Sequence, residues 1–315
     1  MPCSYDKETL AVALRTHPDL RCGPSPPQGP DGSVMDIDGG CNDATVFTLA
    51  LALRRRTLEA TVRFRHVPSR LQDFQAGAQL TVYLCLHPSS HESRKEKIPQ
   101  SEPVTIDDRF DDLTVLHSPP PGDHIFDILV ASGLDGHAFE SFVHRQDGNM
   151  WLAENLPKDI HSARVILYGS YTPLQNSNSF AELCDLSGQF YQALARVMQS
   201  ASGKHMIMIG HDLGGLLIKE AIIKLFTPGT GPELPIQIAG CLFFGVPSDG
   251  MNIEPLVPMV GDRPNRSLLG SLRQENSYVL KNQRTEFASV LEKHKLEIFC
   301  FYETERSPTA REVSN

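Results

Sequence analysis

The chain has 315 residues, 29 Lys+Arg against 38 Asp+Glu for a formal charge of −9, and 40% apolar against 21% charged residues, the profile of a globular protein. An acidic chain without a basic stripe cannot gather a phosphate backbone, which sets nucleic acid aside as a partner. The longest apolar run near the N-terminus, Val46 to Leu53, stops at Arg54-Arg55-Arg56, far short of the roughly 20 residues of a spanning helix. Asp6, Lys7, Glu8, Arg15 and Asp19 interrupt any signal-peptide core. The expectation is a cytoplasmic chain with no transmembrane anchor.

Residues 1 to 43 read as a tail rich in Pro and Gly, with Gly23-Pro24-Ser25-Pro26-Pro27 and Gly29-Pro30-Asp31-Gly32 too polar to support a core. Residues 44 to 121 form a β-containing extension with loops. In it, Leu58 to Arg65 alternates as a half-buried strand should, a second strand fits Leu80 to Leu86, and the Ser, Lys and Glu of His87 to Pro103 predict a solvated loop. Arg94-Lys95-Glu96-Lys97 belongs to that loop. His87 and His91 have the spacing of a metal pair, but Pro88-Ser89-Ser90 denies them a helix. Asp107, Asp108, Asp111 and Asp112 around Phe110 lack the glycine of a calcium loop. Seven scattered cysteines include no C-x-x-C pair and read as reduced thiols. No metal and no cofactor is expected.

From residue 122 to 315 the texture changes. Short runs apolar on both faces, Ile125 to Ala131, Ala163 to Tyr168, Met206 to Ile209, Ala239 to Phe244 and Leu296 to Tyr302, predict buried parallel strands. Between them, Leu183, Leu186, Phe190, Leu194 and Val197 mark one face of a helix, with Ser179 and Glu182 as its capping box. Trp151, Leu152 and Leu156 fall in a further helical segment, where Trp151 is expected to pack in the core. Leu213 to Phe226 is apolar nearly all round, as a helix packed deep on a sheet should be. Alternating strands and helices predict a doubly wound, mostly parallel α/β sheet.

The stretch Met206 to Gly215 holds the chemistry. A buried strand ends in Gly210-His211-Asp212-Leu213-Gly214-Gly215 and a buried helix begins, the context of a nucleophile elbow. Asp stands where a serine hydrolase has its nucleophile. The geometry suits Asp, which tolerates positive φ, and a helix N-terminus stabilises its anion. Its attack on an ester carbonyl would give a reactive anhydride, whereas attack on an alkyl carbon gives an ordinary ester. The residue therefore disfavours serine-type esterase action and leaves displacement at carbon open.

Ile128 to Phe139, Met150 to Pro157, Ala163 to Gly169, Gly210 to Gly215, Phe243-Phe244-Gly245-Val246-Pro247 and Phe301 to Thr304, in this order, resemble the α/β-hydrolases related to the serine-active-site-containing protein. The likeness is to the fungal branch often found upstream of NACHT, NB-ARC or ankyrin modules. The resemblance implies an α/β-hydrolase fold in which the Leu134 and Leu213 N–H groups form the oxyanion hole and Glu303 is the triad acid. Asp212 then holds the nucleophile position. In that family the catalytic His comes with a last strand and helix, a segment this chain is expected to lack, so the domain from 122 to 315 is expected to be C-terminally incomplete; relatives associate with mitochondria, endoplasmic reticulum or membranes. Neither His211, inside the elbow, nor His137 stands in for that base.

These readings predict a catalytically impaired hydrolase fold acting in binding or signalling, with a small-molecule or acyl ligand and a protein partner covering an open sheet edge. The alternatives are a hydrolase of lipid esters or epoxides that uses Asp212 with a His from a longer or second chain, and an adaptor recruiting a partner through its N-terminal region.

Overall fold

A computed structural model describes residues 46–54, 57–64, 71–74, 78–85, 101–120, 122–200, 204–229, 237–274 and 277–304. The tail at 1 to 43, the His87 and His91 pair and the Arg94 to Lys97 run lie outside them. The chain divides into two compact units, Met1–Arg109 and Phe110–Asn315.

The first unit holds two antiparallel pairs. Strands β1 (Val46–Arg54) and β2 (Thr57–Phe64) pair from Arg54 opposite Thr57 to Val46 opposite Phe64. Strands β3 (Gln79–Cys85) and β4 (Ser101–Asp107) form the other pair. Val82 and Leu84 of β3 are buried and Thr81 and Tyr83 exposed, the alternation of a sheet wet on one face. The end of the expected loop from His87 to Pro103 is thus a strand. Val104 and Ile106 alternate with exposed neighbours and give β4 an inward face that composition alone had hidden.

The second unit is built on a six-stranded sheet: β5 (Asp112–His117), β6 (Phe126–Ala131), β7 (Ala163–Gly169), β8 (His205–His211), β9 (Ile238–Phe244) and β10 (Glu297–Phe301), in the spatial order β10-β9-β8-β6-β7-β5. All neighbours run parallel except β5, which lies antiparallel on β7. The sheet thus begins upstream of residue 122, and the Asp112 side chain at the start of β5 is held by Arg196 at 2.5 Å. Along the central strands alternate residues enter two separate cores. Leu129, Ala131, Ile166, Tyr168 and Met208 belong to one, and Ile128, Val130, Val165, Leu167 and Ile209 to the other. That division is why these strands read as continuous apolar runs.

On one face α3 (Leu183–Ser200), α4 (Leu213–Phe226) and α7 (Tyr278–Lys293) pack side by side with α4 in the middle. The other core takes in the short helices α1 (Trp151–Glu154) and α2 (Leu156–Asp159), where half-buried Trp151 packs edge-on to Phe142. Two further short helices, α5 (Val257–Val260) and α6 (Arg266–Ser271), follow β9. The capping box of α3 is displaced from the expected pair. Ser179 Oγ accepts from the Ala181 N–H, and Asp185, inside the helix, reaches back to the Glu182 N–H at 2.9 Å. Glu182 is the cap position and Asp185 the third residue after it. At one end of the sheet β10 leaves Phe299 and Phe301 exposed, the latter stacked on Phe244 at 4.5 Å between ring centroids. Among the described residues no helix is long and apolar enough to cross a membrane.

Candidate active site

The site lies where the parallel strands end. β8 finishes at His211, and Asp212 turns the chain into α4 with φ 48° and ψ −120°. This is a conformation that costs an L-residue about 1–3 kcal/mol and survives only where its surroundings fix it. The Asp212 N–H donates to Phe244 O at the end of β9, and the Asp212 carbonyl accepts from the Gly215 N–H. Close packing enforces the turn. A Cβ on Gly214 would lie 2.4 Å from the Ala131 carbonyl oxygen, and one on Gly215 would lie 2.1 Å from Val246 Cγ2. Gly210 and Gly215 touch across the strand–helix crossing.

The structure brings Asp212 and Leu134 together. Leu134 N–H donates to Asp212 Oδ2 at 2.9 Å, a bond between positions 78 residues apart. Leu213 is the first residue of α4, and among the described residues its N–H has no acceptor. His211 lies between strand and turn, its Nδ1 buried without a hydrogen bond and its ring edge-on to Phe142. Among the described residues no histidine bonds to Asp212. His137 accepts from the Glu140 N–H and meets Phe110 at its edge. Glu303 is exposed, two residues beyond Phe301, whose carbonyl accepts from the Gly245 N–H.

Two residues that pattern reading missed complete the site. A Cβ on Gly133 would meet Asp212 Oδ2 at 2.9 Å and His211 Nδ1 at 3.2 Å, so only glycine leaves room for that carboxylate. Asp135, at φ 57°, anchors the loop that carries Leu134, since its N–H donates to Thr172 O and its carboxylate accepts from the Leu174 N–H at 2.8 Å. Asp135 follows the donor directly and precedes Gly136, a turn signal that could have drawn attention to it.

Beside Leu134 is a cavity of about 10 Å³, lined among others by Thr172, Leu174, Ser177, Asn265 and Leu268. It is large enough for one water-sized group. Thr172 Oγ1 and Asn265 Oδ1 are buried without hydrogen bonds among the described residues. The Asn265 orientation is fixed, because its Nδ2 donates to the Pro173 and Leu174 carbonyls.

The strand order, with one antiparallel edge strand, and the strained strand-to-helix turn at the carboxyl ends of the strands define an α/β-hydrolase fold. Searches of family models and of curated proteins find no match for the chain. Among solved structures it is similar to the mature form of a Bacillus licheniformis lipase, with 15% identity over 60% of this chain and 70% of that one and a TM-score of 0.42. A Legionella pneumophila phospholipase gives 14% identity, 58% and 39% coverage and a TM-score of 0.40. Esterase B from Lactobacillus rhamnosis gives 10% identity, 58% and 65% coverage and a TM-score of 0.34. The chain therefore spans about two-fifths of the phospholipase.

Proposed function

We propose that this chain is a catalytically impaired hydrolase fold that acts by binding, in a recognition or signalling role, rather than by acyl transfer at the elbow. The observation that carries this reading is the 2.9 Å bond from the Leu134 N–H to Asp212 Oδ2. In acyl transfer that donor would have to hold the developing oxyanion. Here a resident carboxylate takes it, and the same carboxylate is a poor acyl nucleophile because its product is an anhydride. The cavity beside Leu134, with room for one water-sized group, offers no space for an acyl chain.

Comparison of the full chain with Asp212→Ala tests this. The expected result is no ester hydrolysis that depends on Asp212, on short or long acyl esters. Turnover present in the wild type and lost in Asp212→Ala overturns the proposal.

The elbow backbone supports a second reading, displacement at an alkyl carbon. Asp212 holds its carboxylate on a strained turn at the strand ends, where an epoxide or alkyl halide could be opened to an ester. Release would need a base-activated water, and among the described residues no histidine bonds to Asp212. This reading predicts a stable covalent adduct at Asp212, seen as a mass increase after incubation with an epoxide.

A further inference from the structure

Away from the elbow, α4 carries a buried amine that the reading above does not use. Lys219 is 9% exposed, in the helix that follows Asp212. Its Nζ lies 2.5 Å from Ser248 Oγ and over the rings of Phe243 and Phe287, and among the described residues no carboxylate is within ion-pair distance. Ser248 occupies the second position of a turn closed by the Gly250 N–H to the Pro247 carbonyl. It also lines an open cavity of about 510 Å³ with Asp249, Ser277, Lys281 and Arg284. A hydroxyl in contact with an amine without a counter-ion, facing a cavity, is the arrangement of a nucleophile and its base.

We propose that Ser248 and Lys219 form a second nucleophilic centre, independent of Asp212, that takes acyl esters bearing an anionic group. Burial lowers the pKa of Lys219, while Cys300, Asp249 and Cys241 around it act in the opposite direction. The Phe243 and Phe287 faces also favour its charged form. When the amine is neutral, the Ser248 hydroxyl can turn from the Val246 carbonyl, 3.4 Å away, to Lys219 Nζ. The anion preference follows from the cavity wall. Asp249 is paired with Arg284, which leaves Lys281 with no ion-pair partner among the described residues.

The chemistry balances without a co-reactant other than water. Ser248 Oγ bonds to the acyl carbon as its proton passes to Lys219, and the carbonyl π pair moves to oxygen. Collapse breaks the bond to the leaving alkoxide, which takes the proton from Lys219. Water then attacks the acyl-serine, gives its proton to Lys219, and the Ser248 oxygen departs and recovers it.

The test is labelling of the full chain with a fluorophosphonate, in which the Oγ–P bond forms, fluoride leaves and Lys219 receives the proton. Peptide mapping should place the adduct on Ser248, and no adduct should form at that position in Ser248→Ala. Lys219→Met should slow labelling by about 10²-fold, the usual contribution of a positioned base. In case Lys219→Met does not fold, the wild-type labelling rate should rise through one ionisation below the ordinary lysine range. For the specificity, Lys281→Ala should raise KM for an anionic ester more than for a neutral one. A folded wild type without an adduct on Ser248, a Lys219→Met rate equal to wild type, or a flat pH profile would overturn the proposal. Equal KM changes for the two esters would overturn the anion preference.

Discussion

Two carboxylates at opposite ends of the same sheet serve different ends. Asp127, near the start of β6, is fully buried and saturated, with Arg164 Nε and an Arg164 terminal nitrogen at 2.7 and 2.8 Å and His124 Nε2 at 2.8 Å. Asp212, past the end of β8, is half-buried on a strained backbone, and among the described residues its carboxylate has one hydrogen bond, from the Leu134 N–H. At the amino ends of the parallel strands a carboxylate is paired away into structure. At the carboxyl ends one is held on a turn, at the cost of backbone strain.

The contrast is broken most forcefully at Asp127. Arg164→Met strands a buried charge with only a histidine partner and should cost about 3–5 kcal/mol in denaturant unfolding. A loss under about 1 kcal/mol would show that the pair is dispensable. Asp212 should matter less, because its carboxylate is only half-buried and has one hydrogen bond among the described residues. Asp212→Ala keeps the positive φ and frees the Leu134 N–H, for about 1–2 kcal/mol, and Asp212→Gly should cost less than Asp212→Ala. An Asp212 variant as damaging as Arg164→Met would make both carboxylates structural.

The smallest effect near neutrality belongs to Cys241, in the β9 core, whose thiol burial pushes up to about 12. The folded state holds this proton after the unfolded state has lost it, so the thiol's contribution to stability is complete below pH 9 and falls away as pH rises toward 12. At pH 8, alkylation followed by peptide mapping should modify exposed Cys184 and Cys300 and spare Cys241. Modification of Cys241 at the same rate would place it on an opening segment.

How much of this was legible depended on whether the signal was local. The five parallel strands and the elbow were readable because burial on both faces writes an uninterrupted apolar run. Strand β5 was not, since Asp112 to His117 is short and lies beside an acidic cluster and a proline run. The Asp127 and Arg164 pair left a trace that went unused. Each is the one charge near the start of an apolar run, and the β6–β7 register sets them opposite one another. Lys219 was visible as a charge inside an apolar helix, but its meeting with Ser248 depends on the path of the loop after β9. Likewise, spacing identified Asp212 as the residue on the turn, while its bond to Leu134 follows from strand order.

The strand order also sets when the elbow can exist. β6 lies between β7 and β8, and the N–H of Asp212 is held by the last residue of β9. That hydrogen bond to the turn is thus absent from any partly folded species in which β9 has not docked. Such distant parallel pairings form slowly, so during refolding helical signal should return before the Asp212 N–H is protected by Phe244 O. The hydrogen bond that fixes the strained residue of the site therefore waits on the arrival of a strand that follows it in the chain.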